Sequence, residues 1–124
     1  MRFGQTVPIL RCFDEREAKA FYVGYLDCRI DFEHRFEVEL PLYMQVSRDG
    51  LVLHVSEHHG DASPGATVRI RVDDLDALHA ELSGREYGRV RPAIEAMPYG
   101  TRDMVVVDPF SNRLIFTDDG ASVE

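Results

Sequence analysis

The densest group of side chains able to hold a metal or move a proton is Glu57-His58-His59, with Asp61 just beyond. Imidazole and carboxylate are the ligand types that zinc and copper take. Adjacent side chains on an extended chain, however, point in opposite directions. The stretch from Glu57 to Gly65 also shows no periodicity and is rich in turn residues, so it reads as a solvated loop. His54 precedes it in a strand-like run. His54, Glu57, His58 and His59 form the one alternative metal set. As a catalytic base His54 has no acid partner identifiable from sequence. His34 and His79 are weaker candidates, and His79 falls on or near a helix stripe. No Ser-His-Asp order, glycine-rich phosphate loop or dinucleotide fingerprint occurs. No catalytic residue is assigned, and no cofactor or metal is expected.

These residues need elements to position them. The last part of the chain, Tyr99 to Phe116, reads as a hairpin: a strand through Val105-Val106-Val107, a break at Asp108-Pro109, a turn through Phe110-Ser111-Asn112, and Leu114-Ile115-Phe116 returning. Val105, Val106 and Val107 suit a pleated surface, and proline cannot donate to a ladder. Pro41 to Ser56 reads the same way, with its turn at Arg48-Asp49-Gly50. Each hairpin follows a strand and a helix. In the first half, Thr6 to Cys12 is the strand. Asp14 and Glu17 have the spacing of a helix N-cap, and Ala18, Phe21, Tyr22, Tyr25 and Leu26 make an apolar stripe over a helix from about Glu15 to Leu26. A strand over Cys28 to Phe36 follows. In the second half, Ala66 to Val72 is a strand. Asp73 or Asp74 caps a helix whose stripe is Leu75, Leu78, His79 and Leu82, and Gly88 to Glu95 is a weaker strand. The order β-α-β-β-β thus occurs twice, in module one (about 5–57) and module two (about 66–118). The fold class is α+β in one domain spanning 1–124.

The 124 residues can bury a sizeable core. No apolar run approaches a membrane span, and Met1 to Thr6 lacks the apolar core of a signal peptide, so a cytoplasmic protein is expected. Cys12 and Cys28 read as reduced thiols in such a compartment. The net charge of −8 repels phosphate backbones, which argues against nucleic-acid binding and favours a cationic ligand.

Val7-Pro8-Ile9-Leu10, Phe21-Tyr22, Val72-Asp73-Asp74, Pro98-Tyr99-Gly100 and Asp108-Pro109-Phe110-Ser111-Asn112, in that order and spacing, together resemble the glyoxalase/bleomycin-resistance/extradiol-dioxygenase superfamily, the vicinal oxygen chelate fold, in its bleomycin-resistance-like branch. Val7-Pro8-Ile9-Leu10-Arg11-Cys12-Phe13-Asp14 followed by Phe21-Tyr22 and Leu26 is similar to its opening, with Asp27 where the family has Gly. Val72-Asp73-Asp74-Leu75-Asp76 opens the second helix. Pro98-Tyr99-Gly100-Thr101-Arg102 stands where bleomycin-resistance proteins tend to have Pro-Trp-Gly. Asp108-Pro109-Phe110-Ser111-Asn112 is similar to the Asp-Pro-x-Gly-Asn turn, with Ser111 replacing Gly.

The resemblance implies two βαβββ modules forming a curved mixed sheet around a cleft. Members with metal chemistry place four ligands on the cleft face. Those positions here read Val7, His54, Thr67 and Ile115, and three of the four are poor metal ligands. The resemblance therefore favours binding over catalysis. It implies a homodimer whose groove sequesters a cationic aromatic ligand, a bleomycin-type antibiotic or another small molecule, and so a role in antibiotic resistance. The N-terminal strand is a candidate for exchange between subunits. Expected ligand-binding residues are Phe32, Phe36, Tyr43, His54, His58, Tyr99, Arg102 and Phe110. The alternative is a metal-dependent lyase or dioxygenase with an altered site. Strand period puts Val52, Ser56, Arg69, Arg71, Arg113 and Thr117 on the cleft face with the four family positions. It puts Leu51, Leu53, Val55, Val68, Ile70, Val72, Leu114 and Phe116 on the other.

Overall fold

A computed structural model describes residues 1–35, 37–88 and 90–120. Phe36, one of the expected ligand-binding aromatics, lies outside the described residues. Module one consists of β1 (Ile9–Arg11), α1 (Glu15–Lys19), β2 (Arg29–His34), β3 (Tyr43–Arg48) and β4 (Leu51–Ser56). Module two consists of β5 (Thr67–Arg71), α2 (Leu75–Ser83), β6 (Ile94–Ala96), β7 (Arg102–Val107) and β8 (Arg113–Asp118). The sheet order β1-β4-β3-β2 recurs as β5-β8-β7-β6. In each sheet the first strand runs parallel to the last, and the other pairs are antiparallel. The repeated βαβββ order is thus present as two four-stranded sheets.

Asp14 caps α1 by accepting the Glu17 N–H at 2.9 Å, and Asp74 caps α2 by accepting the Ala77 N–H at 3.0 Å. The first helix departs from expectation. Only Glu15–Lys19 is α-helical, and Ala20–Tyr25 continues as a π-helix, with the Leu26 N–H donating to the Phe21 carbonyl at 2.9 Å. The wider turn brings Phe21, Tyr22, Tyr25 and Leu26 into the core together. The strand expected over Gly88 to Glu95 shrinks to Ile94–Ala96. Pro92 has no N–H to place in a ladder, which stops pairing upstream.

One hydrophobic core joins both modules, drawing on Leu10, Phe21, Tyr22, Met44, Leu53, Leu82, Met104 and Leu114. Leu53, Val55, Leu114 and Phe116 are buried, and Val68, Ile70 and Val72 pack against them, as strand period requires. Thr67, Arg69 and Arg71 point outward on the opposite side. Ser56 departs from this pattern. It is fully buried, its hydroxyl donating to Asp61 at 2.7 Å and accepting the His58 N–H at 3.0 Å. Cys12 and Cys28 are free and buried. Burial pushes the Cys12 thiol up to about 12 and the Cys28 thiol up to about 11, so neither acts as a ready nucleophile.

The two positions where the resemblance expects glycine both lie in the left-handed region: Asp27 at φ 58° and Ser111 at φ 71°. Only glycine adopts that conformation without steric cost, and aspartate tolerates it better than serine. Ser111→Gly is therefore expected to raise unfolding stability by about 1 kcal/mol. Urea denaturation checks this as a higher midpoint at unchanged slope.

Candidate functional site

Each sheet buries one face and leaves the other bare. On the first sheet the bare face carries Phe32 on β2, Tyr43 and Gln45 on β3, His54 on β4 and Ile9 on β1. Gln45 lies directly opposite His54, as does Ile9 on the parallel side. His54 is half-buried, and both of its ring nitrogens have partners. Its Nδ1 is 2.5 Å from the Tyr43 hydroxyl and its Nε2 is 2.9 Å from Gln45 Oε1. The rings of Phe32 and Tyr43 meet it edge-on at 5.7 and 5.1 Å. Gln45 in turn donates from Nε2 to Asp31 at 2.9 Å. Phe32 remains 43% exposed, which makes it an available apolar wall. Burial raises the Tyr43 phenol, and the charge of Asp61 adds to that.

The opposite face of the second sheet exposes Arg69, Val105 and Val107, with Thr117 half-buried and Asp103 and Ile115 buried among them. Asp103 is its hub. It accepts from Arg69 Nη2 at 2.9 and 3.0 Å, Thr117 at 2.8 Å, Thr101 at 3.1 Å and the Tyr99 hydroxyl at 3.1 Å. Burial pushes the Asp103 carboxyl up, but the bonds from Thr117, Arg69, Thr101 and Tyr99 outweigh it and leave the group below 3.8. Tyr99 is fixed at its hydroxyl end while its ring is 62% exposed. That combination suits a stacking platform. Val105 and Val107 stay exposed beside it.

The remaining expected residues are not brought to these faces. Arg102 lies on the helix side of its sheet, paired with Asp118 at 2.7 Å and Asp76 at 3.0 Å. It ties α2 to β8. Phe110 is 6% exposed and packs edge-on to Phe13 at 6.0 Å, in the core rather than on an open surface. His58 is half-buried in the loop after β4 and His59 is exposed. His54 lies on β4, which ends at Ser56, and His58 lies in the loop beyond, so the face of the strand does not carry both. Glu57 is occupied: its Oε1 accepts the Leu42 N–H at 2.7 Å and lies 3.7 Å from Arg35. Among the described residues no three His, Cys, Asp or Glu side chains are grouped to hold a metal ion. A separate groove of about 1190 Å³ runs between the β3–β4 turn and α2, lined by Gln5, Leu51, Val68, Leu78 and Glu81 among others. Arg48 bridges it with two 2.8 Å bonds to Glu81, so this groove is braced by an ion pair between the modules.

The chain matches a family model described as glyoxalase superfamily protein over residues 1–122. The chain belongs to the glyoxalase superfamily. Similar solved structures include a bleomycin-binding protein from bleomycin-producing Streptomyces verticillus complexed with copper(II)-bleomycin. It is 30% identical over 95% of this chain and 98% of that one, with a TM-score of 0.72. A bleomycin-binding protein complexed with bleomycin is 23% identical over 94% and 98%, with a TM-score of 0.72. A bleomycin resistance determinant encoded on a transposon is 22% identical over the same shares, with a TM-score of 0.70. No curated protein matches the chain. No helix among the described residues is long and apolar enough to cross a membrane.

Against the superfamily's metal positions, His54 is the one imidazole, and its neighbours were legible in part. The pairing of Arg48 with Leu51 across a two-residue turn puts Gln45 opposite His54. Counting back from Asp49-Gly50 would have found that partner. Asp103 was missed because its strand was read for its valines. Period 2 from Val105 places it on the same face.

The Asp103 hub gives a pH dependence. A carboxyl whose folded pKa lies below its unfolded value stabilises fully above the unfolded value. That contribution disappears as pH falls through the folded value. Asp103 is depressed from 3.8, so the melting temperature of the wild type is expected to drop as pH falls below about 5. Asp103→Asn is expected to melt lower at neutral pH and to lose less on acidification. Thermal melts from neutral to acid pH check this, and parallel curves for the two proteins would contradict it.

Proposed function

We propose that the chain is a binding protein of the bleomycin-resistance type. It sequesters a small planar molecule in a groove formed where the bare face of one sheet meets the bare face of a partner copy. The observation that carries this reading is the exposed Tyr99 ring held in place by Asp103. It stands beside exposed Val105 and Val107, with exposed Phe32 on the other sheet. An isolated chain leaves both apolar faces in water, whereas two copies related by a twofold axis cover each with the other and leave a cleft between. The similarity to the copper(II)-bleomycin complex, 30% identical over nearly the whole chain, makes bleomycin-type glycopeptides the first ligands to try. The net charge of −8 favours a cationic ligand at a cytoplasmic protein.

The chemistry of the donor set supports binding over metal-dependent catalysis. Of the four family ligand positions, only His54 offers a nitrogen, and both of its nitrogens are engaged by Tyr43 and Gln45. A lyase or dioxygenase site from His54, Glu57, His58 and His59 would have to break those bonds and the Glu57 bond to the Leu42 N–H.

Isothermal titration of metal-free bleomycin into the purified chain tests the proposal. Saturable binding near one ligand per subunit is expected. Tyr99→Ala and Phe32→Ala are each expected to weaken it about threefold to tenfold, the size of one lost stacking contact. Absence of binding, or full affinity in both variants, would rule out sequestration on these faces.

A further inference from the structure

The hydrogen bonds of the first sheet's bare face run in one direction. Asp31 Oδ2 lies 2.9 Å from the Gln45 amide. The bonds from Gln45 first, and then from Ser47 and Arg29, hold the Asp31 carboxyl below 3.8, so it is charged at neutral pH. A carboxylate only accepts, so the Gln45 nitrogen must face it. That turns the Gln45 oxygen toward His54 Nε2, 2.9 Å away. An amide oxygen has no proton to give, so Nε2 carries one and donates. In the neutral ring the proton on Nε2 leaves Nδ1 as a bare lone pair. The Tyr43 hydroxyl, 2.5 Å from Nδ1, therefore spends its single proton inward. What Tyr43 retains for a further partner on this face is acceptor capacity alone.

We infer that the Tyr43 oxygen is a one-way subsite. It accepts a hydrogen bond from an N–H edge of a flat ligand lying beside Phe32, and it disfavours an isostere that offers only a carbonyl there. The inference rests on the reading that this face binds a planar ligand, and it names the edge chemistry that ligand must present. A carbonyl at the same place would set lone pair against lone pair and leave its own desolvation uncompensated. Gln45 and Asp31 are positioning residues, since they act on the ligand only through His54 and Tyr43.

Two neutral aromatic probes of similar size test it: indole, which has an N–H and no carbonyl, and acetophenone, which has a carbonyl and no N–H. Affinities are read from chemical-shift changes on β3 and β4 of isotope-labelled protein. Indole is expected to bind the wild type about threefold to tenfold more tightly than Tyr43→Phe, the range of one neutral hydrogen bond. Acetophenone is expected to gain nothing from the hydroxyl. A long-range proton–nitrogen spectrum of the free protein is expected to show the His54 proton on Nε2, both in the wild type and in Tyr43→Phe. In Gln45→Leu that single tautomer is expected to give way to a mixture, with a matching loss of indole preference. A proton on Nδ1 in the wild type, equal indole affinity in wild type and Tyr43→Phe, or no indole response on this face at millimolar concentration would each overturn the inference. Neither readout uses bleomycin, so a failed bleomycin titration leaves the subsite standing. Bleomycin binding with no indole discrimination would remove the subsite and leave sequestration intact.

Discussion

A charged side chain in a protein interior is tolerable only where donors surround it, and Asp108 is placed that way. It is buried. It accepts the Tyr22 hydroxyl at 2.5 Å, the Phe110 and Asn112 N–H groups at 2.8 Å, and the Asn112 amide at 2.8 Å. Asn112 reaches further, donating to the Arg11 carbonyl at 2.8 Å and accepting the Ala66 N–H at 3.2 Å. One carboxylate thereby connects the π-helical turn of module one, the end of β1, the entry to β5 and the turn between β7 and β8. Burial, and then the charge and hydrogen bond of Asp108, push the Tyr22 phenol far above its ordinary value, so it stays a donor at every working pH. This explains why the Phe-Tyr pair and the Asp-Pro-x-Ser-Asn turn occur together, though 86 residues separate Tyr22 from Asp108.

The clamp has a consequence for the surface. With the modules joined through their helices and inner sheet faces, the opposite face of each sheet is left to water. Such faces hold exposed Phe32, Tyr99, Val105 and Val107 beside tightly bonded polar groups around His54 and Asp103. Rigid polar anchors with bare apolar surface are the ordinary composition of a small-molecule site. Membership of the glyoxalase superfamily fits this geometry, since the superfamily's sheets curve around a cleft. The resemblance puts Val7, Thr67 and Ile115 at three of the family's four metal positions, and none of these side chains is a good metal ligand.

Much of this was legible in the sequence. Element order followed from turn residues and periodicity. The inward and outward sets on β4 and β5 followed from period 2 read together with the family alignment, whereas on β8 Ile115 is buried along with Leu114 and Phe116. Ser56 escaped that logic, since a hydroxyl with two local partners can be buried on either face. Arg102 and Phe110 were read through motif position, but their placement was decided by long-range partners: Asp76 on α2 for one and Phe13 for the other. The π-helical widening after Lys19 leaves no mark in the 3.6-residue stripe, because Phe21, Tyr22, Tyr25 and Leu26 satisfy both periods. The polarity of the Tyr43–His54–Gln45–Asp31 chain needs distances, and no residue type or spacing encodes it.

The most direct test of the account is to map metal-free bleomycin onto the folded chain by chemical-shift changes in aromatic- and methyl-labelled protein. The largest changes are expected at Phe32, Tyr43, His54, Tyr99 and Val105, on the two bare faces. Changes centred instead on Leu51, Val68 and Leu78, in the groove braced by Arg48 and Glu81, would contradict it, and so would a spectrum that does not change at all.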